Sequence, residues 1–475
     1  MKTKITNISK IISWNADTNS LDVIVNKDVL IDSNKISQIS DNISSYDQVI
    51  DAKQSIITPG FIDTHTHPIF IGNRSNEFKM RAQGKTYQEI SQMGGGINSS
   101  VNSLRQASDE ELYNASLENI KPFIKFGTTT MEAKSGYGLS LKDEIKSLKV
   151  IKKINEDLNI DIIPTFLGAH DIPDEYKNNK EKYIDIICEE MIPDVAEKKL
   201  AVFCDVFCEK GYFSVDDSRK ILETAKQYNL IPRMHADEFV YSGASELAKE
   251  VGAISADHLM AINEEGINAL STSDTIATLL PGTTFFLNKK NYANGRKLID
   301  NNCNVALATD FNPGTCTIRS LSNIMFLSIQ NCGLTIDESF LAVTYNAAKA
   351  LSKEKEIVPS FEDLIKLSSK KKEIELKYDL ERNVNLIRFS QGKIDIAFNE
   401  NINKNFVRNL SEKLLEWTGK RWVISLTQEP GNKSFIEQQN INKKKFIDSE
   451  KETETYKKFK SIFYDAELVD VEKKE

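Results

Sequence analysis

No stretch of the chain approaches the roughly 18 consecutive apolar residues that a membrane-spanning helix needs. The opening MKTKITNISKIISWNAD has no apolar signal core either. Cysteine is scarce and clustered, with six in all, at 188, 204, 208, 303, 316 and 332, and no C-x-x-C pair. That excludes a disulfide framework and points to a cytoplasmic protein whose thiols are reduced and mostly buried. A nucleophilic role is conceivable only for Cys316, in the turn Gly-Thr-Cys-Thr, and packing is the better reading of it. Basic stripes interleaved with aromatics are missing from residues 1–357, which hold 38 Lys and Arg against 48 Asp and Glu. Direct nucleic-acid binding is therefore not expected. Residues 358–475 carry 23 against 21, and this change of balance marks a second piece beginning near 357. Histidine is rarer still: five in 475 residues.

What is present suits a soluble globular chain, 40% hydrophobic and 27% charged, long enough for several domains or for one barrel with attachments. Residues 1–60 read as short strands with Asn/Asp turns, such as LDVIVNKDVLIDSNKISQIS, forming a small antiparallel β domain. From 61 to about 350, eight β-branched runs alternate with amphipathic helical segments. The runs are SIITPGFIDTHTH, TTTMEAKSGYG, IDIIPTFLGAH, AVFCDVFCEKG, LIPRMHADEF, AISADHL, TIATLLPG and NVALATDFNPG. Eight βα units over this length predict a (β/α)8 barrel; a doubly wound sheet is the alternative.

The histidines fall at the ends of those runs. His65 and His67 close the first, His170 the third, His235 the fifth and His258 the sixth, while Asp310 closes the eighth. In a strand, residues two apart face the same way, so His65 and His67 converge. A lone histidine at a strand end is usually structural. All five at the C-terminal rim, where barrels place their active sites, point instead to a shared task. His65, His67, His235 and Asp310 make a nitrogen and oxygen set suited to one divalent metal, Zn or Fe, with room for a water whose pKa the ion lowers toward neutrality. For Asp310 the plain alternative is a turn residue in ATDFNPG.

These residues are recognisable. FIDTHTHPIFIGNRSNEFKMRAQGKTYQEISQMGGGI, EAKSGYG, TFLGAHDIPDEY, DVFCEKGYFS, HADEF, SADHL, LLPGTTFFL and ATDFNPGT follow one another as in the imidazolonepropionases of the amidohydrolase superfamily, over residues 1 to about 357. The resemblance implies hydrolysis of the ring amide of 4-imidazolone-5-propanoate to N-formimidoyl-L-glutamate, and a homodimer. It places His65, His67, His235 and Asp310 on the metal, and puts Arg74, Tyr87, Tyr137, His170, Glu238, His258, Asn312, Gly314 and Thr315 around the substrate. Arg74 offers a planar fork for the propionate, against the plain reading of a solvated loop arginine. Tyr137 reaches inward from SGYG, or else packs the barrel mouth. Glu238, His258 and Asp310 are the expected catalytic groups. Glu238 moves a proton, or only orients by hydrogen bonding; His170 or His258 steadies the oxyanion. Another amidohydrolase activity, such as deamination of a cyclic amidine, is the alternative within enzymes. QGKT at 83–86 is no P-loop, since Lys79 stands where its first glycine belongs, and GGG at 94–96 reads as a loop near the site. Lys210 is weighed as a carbamylated bridge between two metals and set aside, because the resemblance implies one ion.

After NAAKALSKEKEI the family pattern stops, and the strands that would complete the small β domain are missing. LERNVNLIRF, EWTGKRW and AELVDV instead resemble the C-terminal region of the DNA polymerase III tau subunit of alphaproteobacteria, over about 358–475. The expected structure there is an α+β module reading helix, hairpin, helix, strand, charged helix, strand. Leu414, Leu415, Trp417 and Trp422 are its expected core. No P-loop accompanies it, so clamp-loader ATPase activity is excluded. Contact with a DNA polymerase subunit is the partner the resemblance implies. An inactive barrel serving as a replication-protein interaction module is the non-enzyme alternative.

Overall fold

The computed structural model describes residues 1–15, 20–33, 35–85, 89–90, 93, 95–351, 358–371, 373–390, 392–397, 402, 405–418, 421–428 and 431–468. It contains two compact units, Met1–Glu354 and Lys355–Glu475.

The first unit begins with seven short strands: β1 (Lys2–Thr6), β2 (Lys10–Asn15), β3 (Ser20–Val25), β4 (Asp28–Asp32), β5 (Lys35–Ser40), β6 (Gln48–Asp51) and β7 (Ile56–Ile57). They form two sheets, ordered β5-β4-β1-β6 and β3-β2-β7. The expected antiparallel unit is in fact mixed, because β1 runs parallel to β6 and β2 parallel to β7. Those pairings join strands tens of residues apart, beyond the reach of turn signals. The core here is small, centred on Ile8, Ile11 and Val29. Ile36 and Ile56 stay 67% and 54% exposed.

Eight parallel strands follow: β8 (Phe61–Asp63), β9 (Thr128–Lys134), β10 (Asp161–Ala169), β11 (Phe203–Cys208), β12 (Ile231–Ala236), β13 (Ser255–His258), β14 (Ile276–Leu279) and β15 (Val305–Leu307). Each pairs with its sequence neighbour. Such strands are covered on both faces, which is why they read as near-continuous apolar runs; every residue of β11 is buried. Capped helices lie between them, among them Asp109–Lys125 behind Ser108 and Val215–Gln227 behind Ser214, each with a capping box.

β8 and β15 are three residues each, too short to close the barrel by themselves. The segments that continue them complete it. The carboxylate of Asp63 accepts the Thr309 amide at 3.0 Å and its hydroxyl at 2.7 Å. Thr66 then bridges to Phe311 in parallel register. The sheet is a barrel, not a doubly wound layer.

The second unit holds helices Phe361–Lys370 and Ile374–Arg382, a hairpin of β16 (Leu386–Ser390) and β17 (Lys393–Ala397), helix Phe406–Thr418, β18 (Val423–Thr427), and helices Phe435–Lys451 and Glu454–Ile462. β18 pairs parallel to β17. Residues 466–468 of the expected closing strand are not in a strand, and its remainder lies outside the described residues. Leu414, Trp417 and Trp422 are buried as expected, but Leu415 is 44% exposed. A one-residue step turns about 100° around a helix, which carries Leu415 off the apolar face.

Candidate active site

The clamp between Asp63 and Thr309 sets the register of everything above it. His65 C=O accepts the Asp310 amide at 3.0 Å, and the His67 amide donates to Phe311 C=O at 2.8 Å. This short ladder brings the side chains of His65, His67 and Asp310 together. His65 Nε2 is 3.2 Å from His67 Nε2, which is 3.4 Å from His235 Nε2. Asp310 Oδ1 lies 3.6 Å from His65 Nε2 and 3.5 Å from His67 Nε2. Its other oxygen accepts the hydroxyl of Thr283. His65, His67 and Asp310 form one set whose ligand atoms all lie within 4.8 Å of one another, and His65, His235 and His258 form a second. His235 reaches the first set through His67.

The outer nitrogens fix what the inner ones carry. A carboxylate only accepts, so Nδ1–H of His65 donates to Asp257 Oδ2 at 2.7 Å and Nδ1–H of His235 donates to Asp205 Oδ1 at 3.2 Å. In the neutral rings, Nε2 of both is then a bare lone pair. The single remaining hydrogen of neutral His67 can satisfy at most one of them. Nitrogens facing at 3.2 and 3.4 Å therefore call for a cation between them. The edge of a tetrahedron with zinc–nitrogen bonds of 2.0–2.1 Å is about 3.3 Å, so the donor set fits a divalent ion. Burial, with the neighbouring Lys134 and imidazoles, holds His65 and His67 well below the ordinary histidine value. They are thus in the neutral, ligating form at pH 7. Burial raises Asp310 to about 6, against the hydrogen bond from Thr283.

Around this point opens a cavity of about 1560 Å³. Arg74, Tyr137, His170, Glu238, His258, Asn312 and Thr315 line it. Arg74 is fixed by Glu77, which accepts from its Nε at 2.8 Å and from one terminal nitrogen at 2.7 Å. Gly314 lies against the guanidinium, where an added Cβ would stand 2.2 Å from Arg74 Nη1. Asn312 turns its own loop, accepting the amides of Gly314 and Thr315 at 2.9 and 2.7 Å. His170 donates Nδ1–H to Gly136 C=O at 2.8 Å, leaving Nε2 as an acceptor, and burial lowers its pKa to about 3. Glu238 Oε2 lies 3.6 Å from His258 Nε2. Burial and then the charge of Asp310 lift Glu238 well above the carboxylate range, so a proton can reside on it. His258 and Asp310 have φ of 84° and 51°, in the left-handed region that disfavours side chains. Tyr87 lies outside the described residues. Lys210 is exposed, and Cys316 is buried with its thiol pushed up by that burial.

Sequence reasoning missed Asp205, Asp257 and Glu77. The signal available was a carboxylate inside an apolar strand run, in FCDVF and SADHL, because a buried charge needs a partner.

A family model described as Amidohydrolase family matches residues 56–357. A model described as DNA polymerase III gamma and tau subunits C terminal matches residues 358–471. The imidazolonepropionase of Brevibacillus brevis is 50% identical over 304 residues, covering 64% of this chain and 72% of its own. That of Geobacillus sp. is 45% identical over 348 residues, covering 71% and 82%. Among solved structures, a guanine deaminase from C. acetobutylicum superposes with a TM-score of 0.54 at 18% identity, over 74% of this chain and 87% of that one. At that identity the likeness speaks for the fold alone.

Proposed function

The chain belongs to the amidohydrolase family and, within it, to the imidazolonepropionases; on that premise we propose that residues 61–357 hydrolyse the ring amide of 4-imidazolone-5-propanoate to N-formimidoyl-L-glutamate, a step in histidine degradation. The observation that carries the reading is the convergence of three Nε2 atoms at 3.2 and 3.4 Å beside the Asp310 carboxylate. His65, His67, His235 and Asp310 would hold one divalent ion, zinc or iron. When bound, it supplies Lewis acidity, bringing the pKa of a water toward neutrality.

The remaining chemistry belongs to the side chains. Water adds its hydroxyl to the ring carbonyl carbon, the carbon–nitrogen bond breaks, and the departing nitrogen takes the proton. Glu238, whose buried carboxyl holds a proton readily, carries it between the two. Asp310 shares that task at the start, from the oxygen that faces the imidazoles. His258, 3.6 Å from Glu238, steadies the charge that grows on the carbonyl oxygen, while the Nε2 lone pair of His170, at the cavity wall, accepts from a ring N–H of the substrate. Arg74, held rigid by Glu77, turns its guanidinium charge to the propionate, and Tyr137 borders the ring. Tyr87, Asn312, Gly314 and Thr315 complete the substrate side.

The reading places the enzyme in the cytoplasm and in a homodimer; size-exclusion with light scattering tests the second point. Contact between residues 358–475 and a DNA polymerase subunit is supported by the family match alone. The direct test of the mechanism is Glu238→Gln. Turnover of 4-imidazolone-5-propanoate is expected to fall by roughly 10²-fold or more with bound metal unchanged. Near-normal turnover removes Glu238 from the mechanism.

A further inference from the structure

Beneath the rim lies a group of charges that the mechanism above does not use. Lys134, Arg233, Glu132, Asp205 and Asp257 are all wholly buried, with no solvent exposure. Lys134 sits at their centre. Its ammonium is 2.6 Å from Glu132 Oε1 and 2.6 Å from Asp205 Oδ2. The second contact is an ion pair whose angle departs from hydrogen-bond alignment.

Each of these carboxylates ends on a different strand of the metal site. Glu132 Oε2 accepts the amide of Thr66 at 3.0 Å, and Thr66 is the residue between His65 and His67. The Thr66 hydroxyl donates to Glu132 C=O at 2.5 Å, and the Lys134 amide donates to Thr66 C=O at 3.1 Å. Asp205 receives Nδ1–H of His235 on its other oxygen, Oδ1, at 3.2 Å. A chain of contacts thus runs from the H-x-H backbone through Glu132, Lys134 and Asp205 to the imidazole of His235 on β12. Arg233 does a parallel service for His65: it lies 3.2 Å from Asp257 and donates to Thr64 C=O at 2.8 Å.

We propose that Lys134 is a positioning residue for the metal centre: its buried ammonium ties the segment bearing His65 and His67 to the orientation of His235, so that three Nε2 atoms from two strands meet at one point. The inference rests on the metal reading of the site. Three carboxylates against two cations leave one net negative charge under the imidazoles, which favours a cation above them. Burial opposes the Lys134 ammonium, but Asp205 and then Glu132 outweigh it and keep the amine charged. A lysine that served only to fill and neutralise the barrel floor would matter for folding and not for the metal.

The experiment separates these roles by measuring zinc affinity, in competition with a chromophoric chelator, alongside the unfolding midpoint of the metal-free protein. It uses the full chain, Lys134→Met, and, if the single variant does not fold, Lys134→Met combined with Asp205→Asn, which removes one charge of each sign and is compared with Asp205→Asn alone so that the support Asp205 gives His235 cancels. The expected result is zinc binding weakened by about 10- to 100-fold, the usual consequence of losing outer support for a ligand. Turnover should return toward that of the unaltered chain as zinc is raised to saturation. Unchanged zinc affinity with a lowered metal-free midpoint would overturn the proposal and leave Lys134 a structural ion pair. Failure of the unaltered chain to bind zinc or iron would instead overturn the metal reading on which it rests.

Discussion

At the scale of single residues, the site depends on histidines kept neutral by burial. His170 illustrates the sign of the effect. Its folded pKa of about 3 lies below the unfolded value near 6.5. The unfolded chain therefore binds a proton that the folded chain does not, throughout that window. Stability is lost as pH falls below about 6.5, at up to about 1.4 kcal/mol per pH unit from this one group. His170→Asn removes the contribution. Denaturant titrations should show the variant gaining on its parent as pH drops from about 6.5 toward 3; a constant difference across that range contradicts the assignment. The five histidines and Asp310 were legible in the sequence because each ends an apolar run. Asp205, Asp257 and Lys134 were not, because each lies inside such a run, and only the closing of the strands into a barrel shows which partner it meets. Glu77 escaped for a related reason: on the helix Ser75–Ala82 it reads as an ordinary polar residue until its contact with Arg74 is seen.

At the scale of elements, the eight barrel strands were readable because parallel strands buried on both faces leave unbroken β-branched runs. The pairing of β1 with β6 and of β2 with β7 was not, because long-range parallel contacts leave no local mark. The face that Leu415 occupies was misjudged by one position, enough to rotate it out of the core. The element most exposed to test is the closure between β8 and β15. With only three residues in each strand, the buried carboxylate of Asp63 does much of the joining through its two contacts with Thr309. Asp63→Ala leaves a buried amide and hydroxyl of Thr309 without that partner, at a cost of about 1–3 kcal/mol each. The loss should appear in urea unfolding of the full chain, together with weaker metal retention, because the same register seats His65, His67 and Asp310. Stability within about 0.5 kcal/mol of the parent, the range of an ordinary surface change, would show that closure does not depend on Asp63.

At the scale of the molecule, two compact units each have their own apolar core, one spread through the barrel and one around Leu364, Leu380, Ile394 and Trp417. Every described residue of the site belongs to the first unit. A chain ending at residue 357 is therefore expected to keep kcat/KM within a few-fold of the full chain, less than about 1 kcal/mol of transition-state stabilisation. A fall of 100-fold or more would show that residues 358–475 support the site. The apolar residues left exposed on β5 and β7 make solubility a separate readout of the same truncation.

The most direct measurement of all is metal content set against turnover in one preparation. One zinc or iron ion per chain is expected, with turnover of 4-imidazolone-5-propanoate lost on chelation and restored when the ion is returned. Full turnover by a chain stripped of its metal would contradict the reading of His65, His67, His235 and Asp310 as the centre of this enzyme.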